Sequence, residues 1–362
     1  MNSLSVCLIT KDEEHNIGDC LDSIREIVDE MILVDTGSHD NTIAIAAGRG
    51  AKVFELPWRD NFAAAKNETL RHATGDWILA MDADERLSSV SRNKIRQLLI
   101  DPTYQAYMLQ LRCPYKQGNS IQGISTGLAI RLFKNNIGLR YHGRIHERIC
   151  TSTRRGKILV ANTNIIIDHL GYQDNLEAKY LRNLSLAGRQ KTKHDAFSRY
   201  DMARMLTGLG QYAEAARQLQ RGMEFTGAAA WLRGQMYVLH GDLLMYVNGD
   251  NAEACASWHQ AMDIEPKMVA PRLRMGRYYY HLGDFKAASS QFESIVELLS
   301  LGSLRGVASD DECTLAEAYA SLAACYARSG HREEAADAVV KSRMPVADDE
   351  TVRFIPWNSD YR

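Results

Sequence analysis

At 362 residues the chain exceeds one ordinary core and fits about two domains. Its composition, 45% hydrophobic and 24% charged with seven prolines, leaves little room for a long disordered tail. Forty-three Lys and Arg against 45 Asp and Glu give a net charge of -2, which excludes the bulk positive field of a general nucleic-acid binder. The longest apolar runs are strand-sized, far short of the ~20 residues of a bilayer span. No basic n-region follows Met1, so the sequence predicts a cytosolic protein without a signal peptide or membrane span. Seven cysteines, an odd number with no CxxC pair, predict reduced structural thiols rather than a disulfide framework or a zinc knuckle.

In chain order, Leu4 to Thr10 reads as a buried strand. Asn16 to Ile27 reads as a helix with Ile17, Leu21, Ile24 and Ile27 on one face. Met31 to Val34 is a second strand ending in Asp35-Thr-Gly-Ser38, Thr42 to Ala47 is helical, Lys52 to Leu56 extended, Asn61 to His72 helical, and Trp77 to Met81 a strand running into Asp82. This alternation implies parallel strands covered by helices, with ligands binding beyond the carboxyl ends of the strands. Polar clusters stand at two such ends, Asp35 to Asn41 and Asp82 to Glu85. Helix capping accounts for the first. It does not account for three carboxylates within four residues in the second.

From about Asp174 the texture is continuously helical, and a turn recurs as Leu209-Gly-Gln-Tyr-Ala-Glu-Ala, Asn248-Gly-Asp-Asn-Ala-Glu-Ala, Leu282-Gly-Asp-Phe-Lys-Ala-Ala and Ser329-Gly-His-Arg-Glu-Glu-Ala. Gly249 and Gly283 are 34 residues apart, the period of a tetratricopeptide (TPR) helix pair, and Pro266 stands where a second helix ends. The other spacings, 39 and 47, require insertions, the longer of them expected at Leu301 to Asp311. The aromatic residues of this half are expected mainly as helix packing, with any left on a concave surface available as peptide anchors.

The chemistry begins at Asp82-Ala83-Asp84. Two carboxylates one residue apart at the end of a buried strand suit a hard divalent cation, Mn²⁺ or Mg²⁺, shared with substrate phosphates. Taken with Lys11-Asp-Glu-Glu-His-Asn16, Asp35 to Thr42, Asn61 to Asn67, Arg131-Leu-Phe133, His142 to Glu147 and Asp168-His-Leu-Gly-Tyr172, the chain resembles a family 2 glycosyltransferase of GT-A fold. It is similar within that family to the TPR-bearing transferases of the sublancin-type peptide S-glycosyltransferase group. The resemblance implies an α/β GT-A nucleotide-sugar domain over residues 1–172, an all-α TPR-like solenoid over 173–345 and a tail over 346–362.

It also implies roles for particular residues. Asp35 accepts from the nucleotide base, Asp82 binds the ribose side of the donor, and Asp84 ligates the metal bridging the diphosphate. Thr10, Asp12, Glu14, Ser38, Lys66, Asn67 and Ala83 complete the nucleotide-sugar site. Asp12 and Lys66 depart from the Asn and Arg more usual there, and lysine lacks the bidentate fork of arginine. The segment Arg131 to Lys157 holds eight basic residues and one acid, and cations there suit the charge that develops on a departing diphosphate. Arg131, inside a motif, is the expected catalytic cation, whereas Arg154, Arg155 and Lys157 read as solvated surface. Glu147 is a candidate acceptor-side base or positioning group. His169 competes with His146, and less strongly with His142, to complete the metal shell.

The expected activity is metal-dependent inverting transfer of a hexose, UDP-glucose as the first donor, to a Cys, Ser or Thr side chain of a peptide or protein. The repeats would recruit that acceptor or pair two subunits as a homodimer. Alternatives are a family 2 enzyme acting on a glycan or lipid-linked sugar, and a TPR scaffold with an inactive transferase domain.

Overall fold

The computed structural model describes residues 2–100, 103–117, 120–145, 147–151, 158–171, 176–189, 195–249, 251–300, 313 and 315–343. His146, Arg154, Arg155, Lys157, Tyr172, the Leu301 to Asp311 insertion and the 346–362 tail lie outside them. The chain divides into two compact units, one of Met1–Pro114 with Thr126–Gln190, the other of Tyr115–Ser125 with Lys191–Arg362.

The first unit opens as its hydrophobic pattern dictates: β1 (Leu4–Thr10), α1 (Ile17–Ile24), β2 (Glu30–Asp35), α2 (Thr42–Gly48), β3 (Lys52–Glu55), α3 (Phe62–His72) and β4 (Trp77–Ala80). These strands are parallel in the order β3-β2-β1-β4, with Thr10 opposite Asp35 and Cys7 opposite Ala80, so their polar ends gather on one edge. β1 and β4 are apolar on both faces because helices cover both sides of the sheet. Leu4, Val6 and Leu8 share a core with Ile17, Leu21 and Ile24 of α1. Cys20 is buried there and Cys7 in a second core with Ile32, Ile78 and Phe133, where burial pushes its thiol up to about 12, keeping it protonated.

Beyond β4 the sheet is mixed. After β5 (Glu85–Leu87) and α4 (Ser89–Leu98) come two long strands, β6 (Ala106–Gln117) and β7 (Ser120–Lys134). A two-stranded sheet of β8 (Leu139–His142) and β9 (Arg148–Thr151) follows, then β10 (Val160–His169) and α5 (Leu176–Gly188). The full order is β3-β2-β1-β4-β7-β6-β10-β5. β7 runs antiparallel to β4, and β10 runs parallel to β6 and antiparallel to β5. The parallel arrangement expected from the alternation of the first four strands is observed, and the strands beyond them make the sheet mixed. From β6 to β10 no helix intervenes among the described residues, so the strand–helix alternation that marks the first four strands is missing.

Glu30, at the amino end of β2, illustrates how the sheet holds itself. Its side chain is 8% exposed and accepts from Ser5 Oγ (2.7 Å), Lys52 Nζ (2.8 Å) and Thr74 N (2.8 Å). Burial would raise its pKa, but the hydrogen bonds from Lys52, Thr74 and Ser5 outweigh it and bring the carboxyl down to about 2. A carboxylate depressed on folding contributes stability that is complete above its unfolded pKa and is lost as pH falls through the folded one. Glu30→Gln is therefore expected to lower stability by about 2 kcal/mol at pH 7. The gap from the parent should narrow between pH 4.5 and 2. Urea titrations at pH 7 and pH 3 check this, and an equal gap at both would refute it.

The second unit is a run of antiparallel helix pairs: α6 (Ala196–Gly208) with α7 (Tyr212–Met223), α8 (Ala230–Asn248) with α9 (Asn251–Ile264), α10 (Ala270–Leu282) with α11 (Phe285–Ser300), and α12 (Leu315–Ser329) with α13 (Arg332–Arg343). Gly210, Gly249, Gly283 and Gly330 stand at the four turns with φ of 70°, 61°, 79° and 83°. This left-handed conformation admits glycine without the Cβ penalty and ends each first helix. Ala215, Ala254 and Ala288, from the same recurring motif, are fully buried, where a small side chain lets the two helices approach. Trp258 is 1% exposed and fits against Gly241, where a Cβ would lie 2.4 Å from the indole nitrogen.

Candidate active site at the carboxyl edge of the sheet

The loops after β1 and β2 bind each other before they bind anything else. Asp35 is 1% exposed and accepts from Thr10 Oγ1 (3.1 Å), Gly37 N (2.9 Å), Ser38 N (2.8 Å) and Ser38 Oγ. A carboxylate offers about four lone-pair sites, so a base reaching Asp35 must exchange with one of these donors. Asp12 adopts φ +53°, rare outside glycine. Its backbone N donates to Ser38 Oγ (2.9 Å) and its carboxylate accepts from His39 N (2.8 Å). Glu14 accepts from the backbone and side chain of Asn41. Thr10, Asp12, Glu14, Asp35 and Ser38 thus form one preassembled wall, beside which Thr36, Trp58 and Asn61 help line a cavity of about 180 Å³.

The Asp82–Glu85 turn forms the centre of the site. Asp82 N donates to Glu85 Oε2 (2.8 Å) and Glu85 N to Asp82 O (3.0 Å), closing a tight loop, while Arg86 donates to the Ala83 carbonyl (3.1 Å). From this turn an alternating chain of charges runs through the unit. Glu147 Oε1 lies 2.7 Å from Lys66 Nζ, which lies 3.0 Å from Asp82 Oδ1. Arg131 Nη2 lies 3.1 Å from Asp82 Oδ2 and 2.6 Å from Glu85 Oε1. His169 closes the chain, with Nδ1 3.7 Å from Glu85 Oε1 and Nε2 3.4 Å from Asp84 Oδ2.

The protonation states follow from this packing. Burial alone would raise Asp82, but the adjacent Lys66 and Arg131 charges hold it well below the ordinary carboxylate range. The same contacts overcome desolvation to keep Lys66 and Arg131 firmly charged. Burial, against the pull of Arg131, shifts the Glu85 carboxyl upward. Burial pulls the His169 imidazole down, but its hydrogen bonds to Asp84 and Cys113 and the Asp84 and Glu85 charges prevail and raise it.

Three residues expected at the donor are engaged with protein groups. Asn67 Nδ2 donates to Tyr141 O (2.8 Å) and Asn67 Oδ1 accepts from Tyr141 N (2.9 Å), so both ends of its amide hold β8 in place. Arg131, expected on the leaving diphosphate, is 9% exposed and directs its guanidinium onto Asp82 and Glu85. Lys66 is engaged between Asp82 and Glu147 with its side chain 13% exposed, and so is a link between carboxylates. Register explains the second: β7 pairs antiparallel with β4 at Leu79–Leu132, so Arg131 falls beside the end of β4, next to the carboxylates.

Glu85 and Gly171 went unassigned from the sequence. Glu85 is fully buried and lies opposite His169 in the β5–β10 ladder. A Cβ on Gly171 would fall 1.6 Å from Asp84 Oδ2, so only glycine leaves that carboxylate its place. The signals were present as the third acid of Asp-Ala-Asp-Glu and as the glycine two residues beyond the histidine.

These residues fit a divalent cation. Four acids, Glu147, Asp82, Glu85 and Asp84, face Lys66, Arg131 and the His169 imidazolium, whose proton a bound cation would displace. Asp84 and His169 are adjacent, and the backbone cradle at Gly171 clears Asp84. Among the described residues no three His, Cys, Asp or Glu groups converge as a complete metal cage. A shell finished by substrate phosphate oxygens is the usual arrangement for Mg²⁺ and similar hard ions.

The architecture is that of a GT-A transferase unit followed by TPR-like repeats. Residues 5–157 match the model of glycosyl transferase family 2. The chain is 31% identical over 277 residues to a TPR repeat-containing protein of Synechococcus elongatus, covering 74% of this chain and 67% of that one. It is 38% identical over 114 residues to an uncharacterized glycosyltransferase of Rickettsia felis, covering 31% and 40%. It is 24% identical over 197 residues to the SPbeta prophage-derived glycosyltransferase SunS of Bacillus subtilis, covering 49% and 43%. The chain thus spans only about two-fifths of the length of these last two relatives. Glucosyl-3-phosphoglycerate synthase of Mycobacterium tuberculosis, solved with Mn²⁺ and UDP, overlaps 32% of this chain and 45% of its own, at 27% identity and a TM-score of 0.26. That overlap is too partial to bear on ligands here. The chain belongs to glycosyl transferase family 2 and is a glycosyltransferase. No helix among the described residues is long and apolar enough to cross a membrane.

Proposed function

We propose that the protein transfers a hexose, with inversion and with the help of Mn²⁺ or Mg²⁺, from a nucleoside diphosphate sugar to a Cys, Ser or Thr side chain of a peptide or protein. UDP-glucose is the first donor to test. The observation that carries this reading is the Asp84–His169 pair beside the buried Asp82–Glu85 turn, with the Gly171 backbone leaving room for the Asp84 carboxylate. Asp84 and His169 would hold the ion. When bound, such an ion neutralises negative charge on the departing diphosphate.

The chain's own residues do the rest. The Thr10–Ser38 wall and the neighbouring cavity receive the base, with Asp35 accepting from it in exchange for Ser38 Oγ. Asp82, oriented from both sides by Lys66 and Arg131, meets the ribose. Glu147, oriented by Lys66, takes the proton from the acceptor as its oxygen or sulfur attacks C1. A new C1–O or C1–S bond forms while the C1–O bond to phosphate breaks, and the nucleoside diphosphate leaves from the opposite face. The helical repeats recruit the acceptor, since stacked helix pairs offer an extended concave surface.

The test is a thermal-shift series with UDP, GDP, CMP and dTDP, each with Mn²⁺ and with EDTA, because a ligand of the native state must raise its stability. A shift with one nucleotide, abolished by EDTA, is expected. Peptide substrates should then gain the mass of one hexose. A metal-independent shift would overturn the metal role. Absence of any shift would favour a scaffold built on an inactive transferase unit.

A further inference from the structure

With Lys66 and Arg131 committed to carboxylates, the donor's diphosphate lacks an obvious cationic partner, and α5 supplies one. Although α5 precedes the repeats, it belongs to the transferase unit, which extends to Gln190. Arg182 lies over the Phe62 ring at 5.5 Å and Arg189 pairs with Asp60, fastening α5 to the start of α3. Lys179 Nζ donates to the Gly171 carbonyl, the same residue whose Cα is pressed against Asp84. Bond lengths alone then bring the ammonium within about 8 Å of the Asp84 carboxylate. At a rise of 1.5 Å per residue, Lys179 and Arg189 lie about 15 Å apart along the helix. The segment therefore runs from beside the metal-binding turn to the β3–α3 loop.

Lys66 and Arg131 are held between carboxylates, and Arg86 binds the Ala83 and Glu85 carbonyls and approaches Asp19 at 3.6 Å. The bonded partner of Lys179 is a neutral carbonyl, and its charge opposes that of Asp84 on the Glu13 carboxyl, Lys179 lowering and Asp84 raising it. A cation held on Gly171 is therefore a neighbour of the Asp84 turn.

We propose that Lys179 is the catalytic cation for the leaving diphosphate, carried to the Asp84 turn by α5. This rests on the nucleotide-sugar reading given above. The ammonium donates to a phosphate oxygen as the C1–O bond breaks, and the Gly171 carbonyl holds it in place beforehand.

Two substitutions separate charge from structure. Lys179→Gln keeps a donor for the Gly171 carbonyl and removes the charge, whereas Lys179→Arg keeps the charge. Calorimetric titration of the full chain with UDP, GDP and dTDP in Mn²⁺ is the measurement, with unliganded melting as the structural control. For whichever nucleotide binds the parent, Lys179→Gln should weaken binding about 10- to 100-fold, the usual range for a lost charge-assisted hydrogen bond. Lys179→Arg should stay within about threefold of the parent. Unliganded melting should not move in either. Parent-like binding by Lys179→Gln would overturn the assignment of Lys179 and leave the nucleotide-sugar reading standing. Absence of binding by the parent itself would overturn both.

Discussion

Replacing Asp84 with asparagine is expected to lower metal-dependent donor turnover by about 100-fold or more, equivalent to ~3 kcal/mol of transition-state stabilisation. The substitution preserves shape against Gly171, where a Cβ would come within 1.6 Å of Oδ2, so the fold is not the part that fails. What it removes is the negative charge beside His169. The nucleotide-induced thermal shift in Mn²⁺ should fall to its value in EDTA, while unliganded melting stays near that of the parent. Donor hydrolysis by Asp84→Asn at the parent rate would refute Asp84 as the metal-holding group. Because donor hydrolysis needs no acceptor, the result does not depend on knowing the acceptor.

The second large effect is on stability. Arg131→Met leaves Asp82 and the fully buried Glu85 without their shared counterion. Breaking a buried ion pair from one side costs about 3–5 kcal/mol, because the remaining charge has lost both water and partner. A fall in melting temperature of roughly 10 °C is expected for the transferase unit. Arg131→Lys should recover only part of it, since an ammonium cannot reproduce the guanidinium's two-carboxylate geometry. Combining Arg131→Met with Glu85→Gln should cost less than the sum of the single changes, because the second removes the charge stranded by the first. Additive losses would show that Arg131 and Glu85 are not the coupled pair described.

The two experiments also separate the parts of the site. Asp84 is arranged so that its loss affects ligand and rate, and Arg131 so that its loss affects the fold. Lys66 and Arg131 looked alike in sequence, as basic residues inside transferase-like motifs, and were expected at the phosphates. Their surroundings pair them with Asp82, Glu85 and Glu147, contacts that the residue order did not show.

Much was legible in the residue order alone. Apolar periodicity marks the first four strands and their helices, and the polar termini of β2 and β4 mark the ligand edge. The four turn glycines mark the helix pairs, since each adopts a positive φ that other residues avoid. Asp82 and Asp84 were evident as a carboxylate pair at the end of a buried strand. All of these are local signals, carried by neighbours within one strand or one helical turn.

The assignment of partners was not local. Arg131 meets Asp82 and Glu85 because β7 returns antiparallel beside β4, and His169 meets Glu85 because β10 pairs with β5 in one particular register. Lys66 reaches Glu147 across a long stretch of chain, and Gly171, which accepts from Lys179, lies against the distant Asp84. Composition and spacing supplied the kinds of group that the site contains. Which cation neutralises which carboxylate, and which one remains for a substrate, was decided only by the tertiary structure, because ion pairing depends on distances of a few ångströms that strand order and register set.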